Sequence, residues 1–285
     1  GRLVHEIGDA SGPIFPRSSN KPMQAAGMLR AGYQPRDTAD LALAAASHFG
    51  EPMHVDRVRA MLTAGGLDVT ALACPPDLPS LASARQDVLA AGGGPDRLFM
   101  NCSGKHAAMV LTCVTAGWPV DGYLNPDHPL QVCMRDEVER VIDGPVAAAG
   151  VDGCGAPVFA MSLRRLAGAF LTFVSAAPGS PERRVADAMR EFPELMSGTG
   201  ANDARLMRGV PGLLAKIGAE GVVAVAVPGV GAVAVKIDDG ASRARTPAVI
   251  AGLRQLGVSN SALDELSEQV ILGGDHPVGA IRLVL

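Results

Sequence analysis

The chain has 285 residues, of which 48% are hydrophobic and 19% charged, and its formal net charge is −4. This length and composition indicate a globular protein with one large domain or two interleaved lobes around a substantial core. The negative charge, the scattered lysines and arginines and the low aromatic content argue against nucleic-acid binding, and no apolar run reaches the roughly 18–20 residues that a membrane span needs.

The first half of the chain opens with one predicted strand and continues with predicted helices. Residues 3–7 alternate between apolar and polar side chains before a turn at 9–13, which favours a strand. The pattern from Lys21 to about residue 133 is helical. Caps, prolines and glycines predict helices that start near Lys21, at 38–47 with Asp37 as the cap, at 52–63, at 105–115 and from about 129.

The second half of the chain mixes strands and helices. After a glycine-rich crossing, the patterns predict helices at 161–176, 181–191, 247–256 and 261–272, and strands at 212–217, 222–227, 231–237 and 280–285. We therefore expect an α+β fold in which an antiparallel sheet is built from both chain ends and flanked by helices. The sheet lobe is expected to comprise residues 1–17 and 151–285, with a predominantly helical lobe, 18–150, inserted between them in one catalytic unit.

A serine stands three residues before a lysine at the start of the first predicted helix. Positions i and i+3 share a helical face, with Cβ atoms roughly 5–6 Å apart, so Lys21 is expected to hold its amine against the Ser18 hydroxyl. A desolvated lysine can take the proton of a serine nucleophile. The alternative is a helix cap at Ser18 or Ser19 with a solvated lysine.

The five cysteines form an odd, widely spaced set, which favours reduced thiols in the cytoplasm over a disulfide framework. Cys102 stands with Lys105 and His106 at a predicted helix N-terminus, where backbone N–H groups and the helix dipole are expected to lower the Cys102 pKa. Cys154 follows Asp152 in a glycine-rich segment, and the alternative reading there is a tight turn with a packed thiol.

These thiols also form a candidate metal site. Cys102, Lys105 and Cys154 are expected to hold Zn²⁺ if the fold brings them together. The Cys-x-x-Lys spacing is not a standard zinc pattern, so a reduced thiol pair without metal is the alternative.

Two further segments carry candidate catalytic groups. Ser47 lies where a predicted helix gives way to a loop, and the alternative is an ordinary loop serine. Lys216 lies on a predicted strand two residues before Gly218, as in the Lys-x-Gly element of serine enzymes that carry an S-x-x-K helix. A surface lysine before a hairpin is the alternative for Lys216, and Lys236 is a rival for its role.

Taken together, these segments resemble the thermolabile, Rhizobium-type (type II) L-asparaginases, which share the serine β-lactamase and serine glutaminase fold. The matching stretches, in the order of the family, are FPRSSNKP at 15–22, ASHFGEP at 46–52, NCSGKH at 101–106, DGCGAP at 152–157 and KIDDG at 236–240. Five collinear motifs that span most of the chain are far more specific than any one of them.

The resemblance implies roles for these residues. Ser18 and Lys21 would be the nucleophile and its activating amine, and Ser47 with Lys216 a second serine–lysine pair. Cys102, Lys105 and Cys154 would be the zinc ligands. Arg17 would bind the substrate's α-carboxylate and Asp152 its α-ammonium, and His106 would lie near the substrate.

The expected activity is hydrolysis of L-asparagine, a small-molecule substrate, to L-aspartate and ammonia through an acyl-enzyme. We expect a homodimer that binds neither nucleic acid nor membrane. The alternatives are a glutaminase or a β-lactam-acylated protein on the same fold, or a catalytically inactive homologue that binds an amino acid.

Overall fold

The computed structural model describes residues 1–283, in which the chain forms twelve α-helices and eight strands. The helices are α1 Lys21–Arg30, α2 Thr38–Ala44, α3 Pro52–Ala64, α4 Ala82–Ala90, α5 Ser103–Ala116, α6 Pro129–Val141, α7 Leu163–Ser175, α8 Pro181–Glu191, α9 Pro193–Met196, α10 Asn202–Gly209, α11 Arg245–Gln255 and α12 Ser261–Leu266. The strands are β1 Pro13–Ile14, β2 Ala148–Val151, β3 Pro157–Ser162, β4 Leu214–Ile217, β5 Val222–Val227, β6 Gly231–Lys236, β7 Gln269–Gly273 and β8 His276–Ile281. Short 3₁₀ turns cover Arg17–Asn20, Val69–Ala71 and Ser242–Ala244.

The strands pair in small antiparallel sheets, which confirms the α+β class. The prediction of one sheet is wrong for residues 1–283, where the strands form three sheets of order β1-β3-β2, β4-β5-β6 and β7-β8. The N-terminal strand is only two residues long and pairs with β3, so it does not extend the sheet of β4, β5 and β6. The division into a helical lobe and a sheet lobe stays a prediction.

Helix α1 lies at the centre of the helical packing. Every residue from Lys21 to Leu29 is buried, and the helix packs against α5, α6 and α8. A helix that is buried all round must carry small or flexible side chains where neighbours approach. Alanine, glycine and methionine fill most of α1, and Gly27 faces the backbone of Met134 on α6.

The second packing centre is the sheet of β4, β5 and β6. All six residues of β5 are buried, and α7 and α11 both pack against this sheet. The valine and alanine residues of β5 suit a strand that is covered on both faces. The strands predicted at 222–227 and 231–237 are present as β5 and β6, the second ending at Lys236, and they pair as a hairpin with residues 228–230 as its turn. Strand β6 is only half-buried.

Several local predictions were wrong. Residues 3–7 are exposed and form no strand, since they pair with no other strand. The apolar run 157–162 forms β3, so the helix predicted from 161 begins at Leu163. The helix predicted over 261–272 ends at Leu266, and residues 269–273 form β7 instead.

Five further helices and strands went unpredicted, namely β1, β2, α4, α9 and α10. The final strand runs from His276 to Ile281, earlier than the prediction, and residues 284–285 of that prediction lie outside the described residues. Within residues 1–283, no helix combines the length and the apolar character needed to cross a membrane.

Candidate active site

Ser47 lies between two lysine amines. It follows α2 after two buried alanines, and its backbone N–H donates to the carbonyl of Met196. The Ser47 Oγ lies 2.8 Å from the Nζ of Lys21 and 3.0 Å from the Nζ of Lys216. The segments that carry Ser18, Lys21, Ser47 and Lys216 therefore converge, but the serine that the lysines contact is Ser47.

Lys21 is fully buried at the first position of α1. Its Nζ donates to the carbonyl of Ala46 at 2.6 Å, to Ser47 Oγ at 2.8 Å and to Cys102 Sγ at 2.9 Å. A protonated lysine has three N–H donors, so these three bonds satisfy an ammonium group. These three acceptors hold the Lys21 amine in place beside Ser47.

The expected contact between Ser18 and Lys21 is not formed. Ser18 lies in the 3₁₀ turn Arg17–Asn20, and the α-helix begins only at Lys21. The Lys21 amine is instead taken up by Ala46, Ser47 and Cys102. Within residues 1–283 the Ser18 hydroxyl makes no hydrogen bond.

Lys216 is the second buried amine, on β4, and it donates to Ser47 and to the carbonyl of Ile217. Burial lowers its pKa to about 7; the charge of Lys21 acts in the same direction and that of Asp203 opposes it. Lys216 is therefore available as a free base near neutral pH. The rival Lys236, at the end of β6, donates instead to the carbonyl of the following residue, Ile237.

The end of β4 lies tightly against the 3₁₀ turn at Arg17–Asn20. The Ser19 hydroxyl donates to the carbonyl of Lys216 at 3.0 Å. A Cβ atom at Gly218 would lie 2.3 Å from the carbonyl oxygen of Pro16 and 3.0 Å from Ser19 Oγ. Glycine at 218 therefore permits the close approach that places Lys216 beside the serine–lysine cluster.

The predicted metal ligands also lie together. Cys102 precedes α5, Lys105 lies in its first turn, and Cys154 lies in the tight turn between β2 and β3. The Lys105 Nζ is 3.3 Å from Cys154 Sγ, and all three side chains are buried. The turn at Cys154 depends on Gly155, which has φ +85°.

The two thiols differ in charge. The interaction with Cys154, together with burial, raises the pKa of Cys102, so the predicted lowering at the helix N-terminus was wrong. The interaction with Cys102, with the charge of Lys105 and against the effect of burial, holds the pKa of Cys154 well below its ordinary value. Burial alone would lower the pKa of Lys105, but the neighbouring thiols raise it.

The chemistry of these donors fits a soft metal ion. Within residues 1–283 no group of three or more His, Cys, Asp or Glu side chains is arranged to hold a metal, so the site would depend on Lys105 to complete two sulfur ligands. Two thiolates and a neutral amine leave one position of a tetrahedral zinc site open. Binding would require Cys102 and Lys105 to lose their protons.

The predicted substrate-binding charges pair with each other at the partly exposed edge of the cluster. Arg17 contacts Asp152 at 2.7 Å through Nη2 and at 2.8 Å through Nε. Its Nη1 contacts Glu220 at 2.9 Å. Burial would lower the Arg17 pKa, but the hydrogen bond and charge of Asp152 and the charge of Glu220 raise it.

His106, predicted to lie near the substrate, is fully buried on α5. The hydroxyl of Tyr123 accepts from the backbone N–H of Ala73 and is hydrogen-bonded to His106 Nδ1, 2.6 Å away. Burial lowers the His106 pKa, which favours a neutral ring. His106 therefore lies at the inner wall of the cluster, beside Lys105.

Sequence reasoning missed two residues of this region. Glu220 follows Gly218 of the Lys-x-Gly element by two residues, and its place in a turn was the only available signal. Tyr123 orients His106 from a loop that carries no motif, so nothing in the pattern pointed to it.

The comparison with family models gives one match. The model described as L-asparaginase II matches residues 1–283, which are all of the described residues. No curated protein matches the chain.

Proposed function

The chain belongs to the L-asparaginase II family and is thus an amidohydrolase that acts on L-asparagine; we propose that Ser47 and Lys216 carry out its acyl transfer. The observation that supports this proposal is the 3.0 Å contact between Ser47 Oγ and an amine whose pKa is about 7. A serine hydroxyl becomes an effective nucleophile when an adjacent base takes its proton.

In the first half of the reaction, Ser47 Oγ attacks the side-chain carboxamide carbon while its proton passes to Lys216. Collapse of the tetrahedral intermediate breaks the C–N bond, and the proton leaves with ammonia. In the second half, water attacks the ester, which releases L-aspartate and restores Ser47. Lys21 keeps the Ser47 oxygen in place through its charged hydrogen bond.

The polar groups at the edge of the cluster would bind the α-substituents of the substrate. Arg17 is proposed for the α-carboxylate and Asp152 for the α-ammonium, since a guanidinium pairs with a carboxylate through two parallel bonds. Cys102, Lys105 and Cys154 would hold a zinc ion, and His106 would support them from inside. A bound zinc ion supplies Lewis-acid polarisation of an oxygen atom.

Replacement of the serine tests the proposed catalytic pair. Ser47→Ala should lower kcat/KM for L-asparagine by at least about a thousandfold, with an unchanged circular dichroism spectrum. The control is Ser259→Ala, since Ser259 is exposed in the loop before α12, and it should keep wild-type activity. Hydrolysis by Ser47→Ala at the wild-type rate would refute the proposal.

The resemblance assigns the nucleophile to Ser18 instead, and a trapping experiment separates the two serines. Acid quenching during turnover, followed by peptide mapping, should find the aspartyl ester on the peptide that contains Ser47. An ester on Ser18, together with inactivity of Ser18→Ala, would assign the attack to Ser18.

The zinc proposal has a test that does not depend on activity. Protein purified without chelator should carry about one zinc ion per chain, and Cys102→Ser and Cys154→Ser should lose it. Cys133→Ser is the control, because that thiol lies on α6 and contacts Gly27. A zinc content near zero in the wild type, or an equal content in all variants, would refute the zinc site and favour a reduced thiol pair without metal.

Glutamine is the nearest competing substrate. One methylene is worth only about 1–3 kcal/mol of discrimination, so ammonia release from both amides must be compared, together with a mass-spectrometric check for β-lactam acylation. Binding of L-asparagine by calorimetry without turnover would identify an inactive homologue.

The finer expectations about fold and assembly remain proposals. They are the serine β-lactamase-like architecture, the homodimer and the cytoplasmic location. Light scattering on the purified protein should give twice the chain mass if the dimer forms. The presence of all five cysteines as free thiols is compatible with a reducing compartment.

A further inference from the structure

The guanidinium of Arg17 forms ion pairs with two carboxylates. Its Nε and Nη2 both contact Oδ1 of Asp152, and its Nη1 contacts Oε1 of Glu220. These contacts engage all three nitrogen atoms and use three of the five N–H donors of Arg17. A substrate carboxylate that takes the Nε–Nη2 edge must displace Asp152, and one that takes the Nη1 contact must displace Glu220.

The two partners are held differently. The Asp152 side chain is 12% exposed, and its Oδ1 also accepts from the backbone N–H of Gly153. The Glu220 side chain is 58% exposed, and Arg17 is its only partner within residues 1–283. Water can therefore solvate a released Glu220 but not a released Asp152, so Glu220 is the partner that is easier to displace.

The backbone presents Glu220 to Arg17 from a fixed turn. Glu220 has φ +58° and Arg17 has φ +51°, and non-glycine residues at positive φ are uncommon. The turn between β4 and β5 is closed by the bond from Gly218 N–H to the carbonyl of Val222, and the carbonyl of Gly221 accepts from Ile237 N–H. Strained backbone of this kind persists where the surroundings hold it, and it clusters at binding sites.

We propose that Glu220 is a specificity-determining residue whose carboxylate occupies the position on Arg17 that the α-carboxylate of the substrate takes. The inference rests on the proposed role of Arg17 in L-asparagine hydrolysis. Ligands with a free α-carboxylate replace Glu220, whereas an asparagine whose α-carboxylate is masked as an amide has no group to do so. The enzyme thereby selects the free amino acid at the cost of a higher KM.

Removal of the Glu220 charge tests the proposal. Glu220→Gln should lower KM for L-asparagine by about two- to fivefold, the range that an exposed ion pair supplies, with kcat unchanged. For L-asparagine α-amide the variant should show no gain in kcat/KM. Glu268→Gln is the matched control, since Glu268 is also exposed and paired with an arginine, Arg282, and it should leave KM unchanged.

An unchanged or raised KM in Glu220→Gln, or an equal gain for the α-amide, would overturn the role of Glu220. Absence of wild-type turnover would instead count against the proposed function. In that case calorimetry with L-aspartate still measures the site directly. Tighter binding by Glu220→Gln than by wild type would support the displacement, and equal or weaker binding would overturn it.

Discussion

Lys21 and Lys216 are both fully buried beside Ser47, but the surroundings of their two amines differ. Lys21 has three acceptors for its three donors, whereas Lys216 has two acceptors and the charge of Lys21 nearby. An ammonium group without full compensation is costly to bury, so the proton leaves Lys216 more easily. In the proposed mechanism, Lys21 stabilises charge and Lys216 takes the proton.

This division predicts the pH dependence of the reaction. The pKa of Lys216 is about 7, and only the neutral amine can accept a proton. We therefore expect kcat/KM for L-asparagine to fall about tenfold per pH unit below that pKa and to level off above it. The measurement is a pH–rate profile from about pH 5.5 to about pH 8.

Two lysine-to-arginine substitutions serve as controls for the pH–rate profile. Lys216→Arg should be inactive throughout this range, because a guanidinium stays protonated. Lys236→Arg should keep the wild-type profile, since the Lys236 amine donates to the carbonyl of Ile237 and not to Ser47. A wild-type rate that does not change between about pH 6 and about pH 8 would contradict the role of Lys216.

The sequence motifs identified the segments that meet here, but not every side-chain contact. Ser18 and Lys21 have the spacing of helical neighbours, yet the Lys21 amine bonds to Ala46, Ser47 and Cys102, which come from distant parts of the chain. The pairing of Arg17 with Glu220 depends on a turn whose backbone conformation no spacing specifies. Long-range packing decides such contacts, and a local pattern carries no information about it.

At the level of elements, the join between the Arg17–Asn20 turn and the end of β4 determines where Lys216 lies. Gly218→Ala would place a Cβ atom 2.3 Å from a backbone oxygen, which cannot move as a side chain can. We expect a loss of about 1–3 kcal/mol in the free energy of unfolding. A fall in kcat/KM should accompany it, because β4 carries the lysine.

Urea denaturation measures the stability effect, with Gly168→Ala as the control. Gly168 is exposed within α7 and has no atom within 4 Å of an added Cβ, so alanine there should stabilise by roughly 1 kcal/mol. A Gly218→Ala variant with wild-type stability and activity would show that the join is not required.

Element predictions succeeded where side chains mark both the ends and the buried face. Asp37 caps α2 as predicted, and α8 and β5 have the predicted bounds. They failed where apolar runs are short, as at β3 and β7, because such a run fits a strand or a buried helix equally well. The separation of the strands into three sheets depends on tertiary packing and had no local signal.

At the scale of the whole molecule, a group of ion pairs around two buried carboxylates joins three helices. Glu137 on α6 and Glu182 on α8 are almost fully buried, and each pairs with both Arg30 of α1 and Arg140 of α6. Each carboxylate therefore has two cationic partners, which offset the cost of removing it from water. The group fixes α8 against the central helix.

Neutralising one carboxylate should weaken this packing. Glu182→Gln should cost about 1.5–3 kcal/mol, the range for a hydrogen bond to a charged group, measured by urea denaturation. Glu191 lies on the same helix but is exposed, so Glu191→Gln should change the free energy of unfolding by less than about 0.5 kcal/mol. Equal effects of the two substitutions would show that the ion pairs contribute nothing specific.

The contacts of the site join parts of the chain that are far apart in sequence. Ser47 and Lys216 are 169 residues apart, Arg17 and Asp152 are 135 apart, and Ser19 and Lys216 are 197 apart. Such contacts raise the contact order, and their loop-closure entropy must be overcome before they stabilise anything. In a refolding experiment, helical circular dichroism should therefore return before asparagine hydrolysis does. Catalytic activity in this chain is consequently a late marker of folding, acquired only when nearly all of the polypeptide is in place.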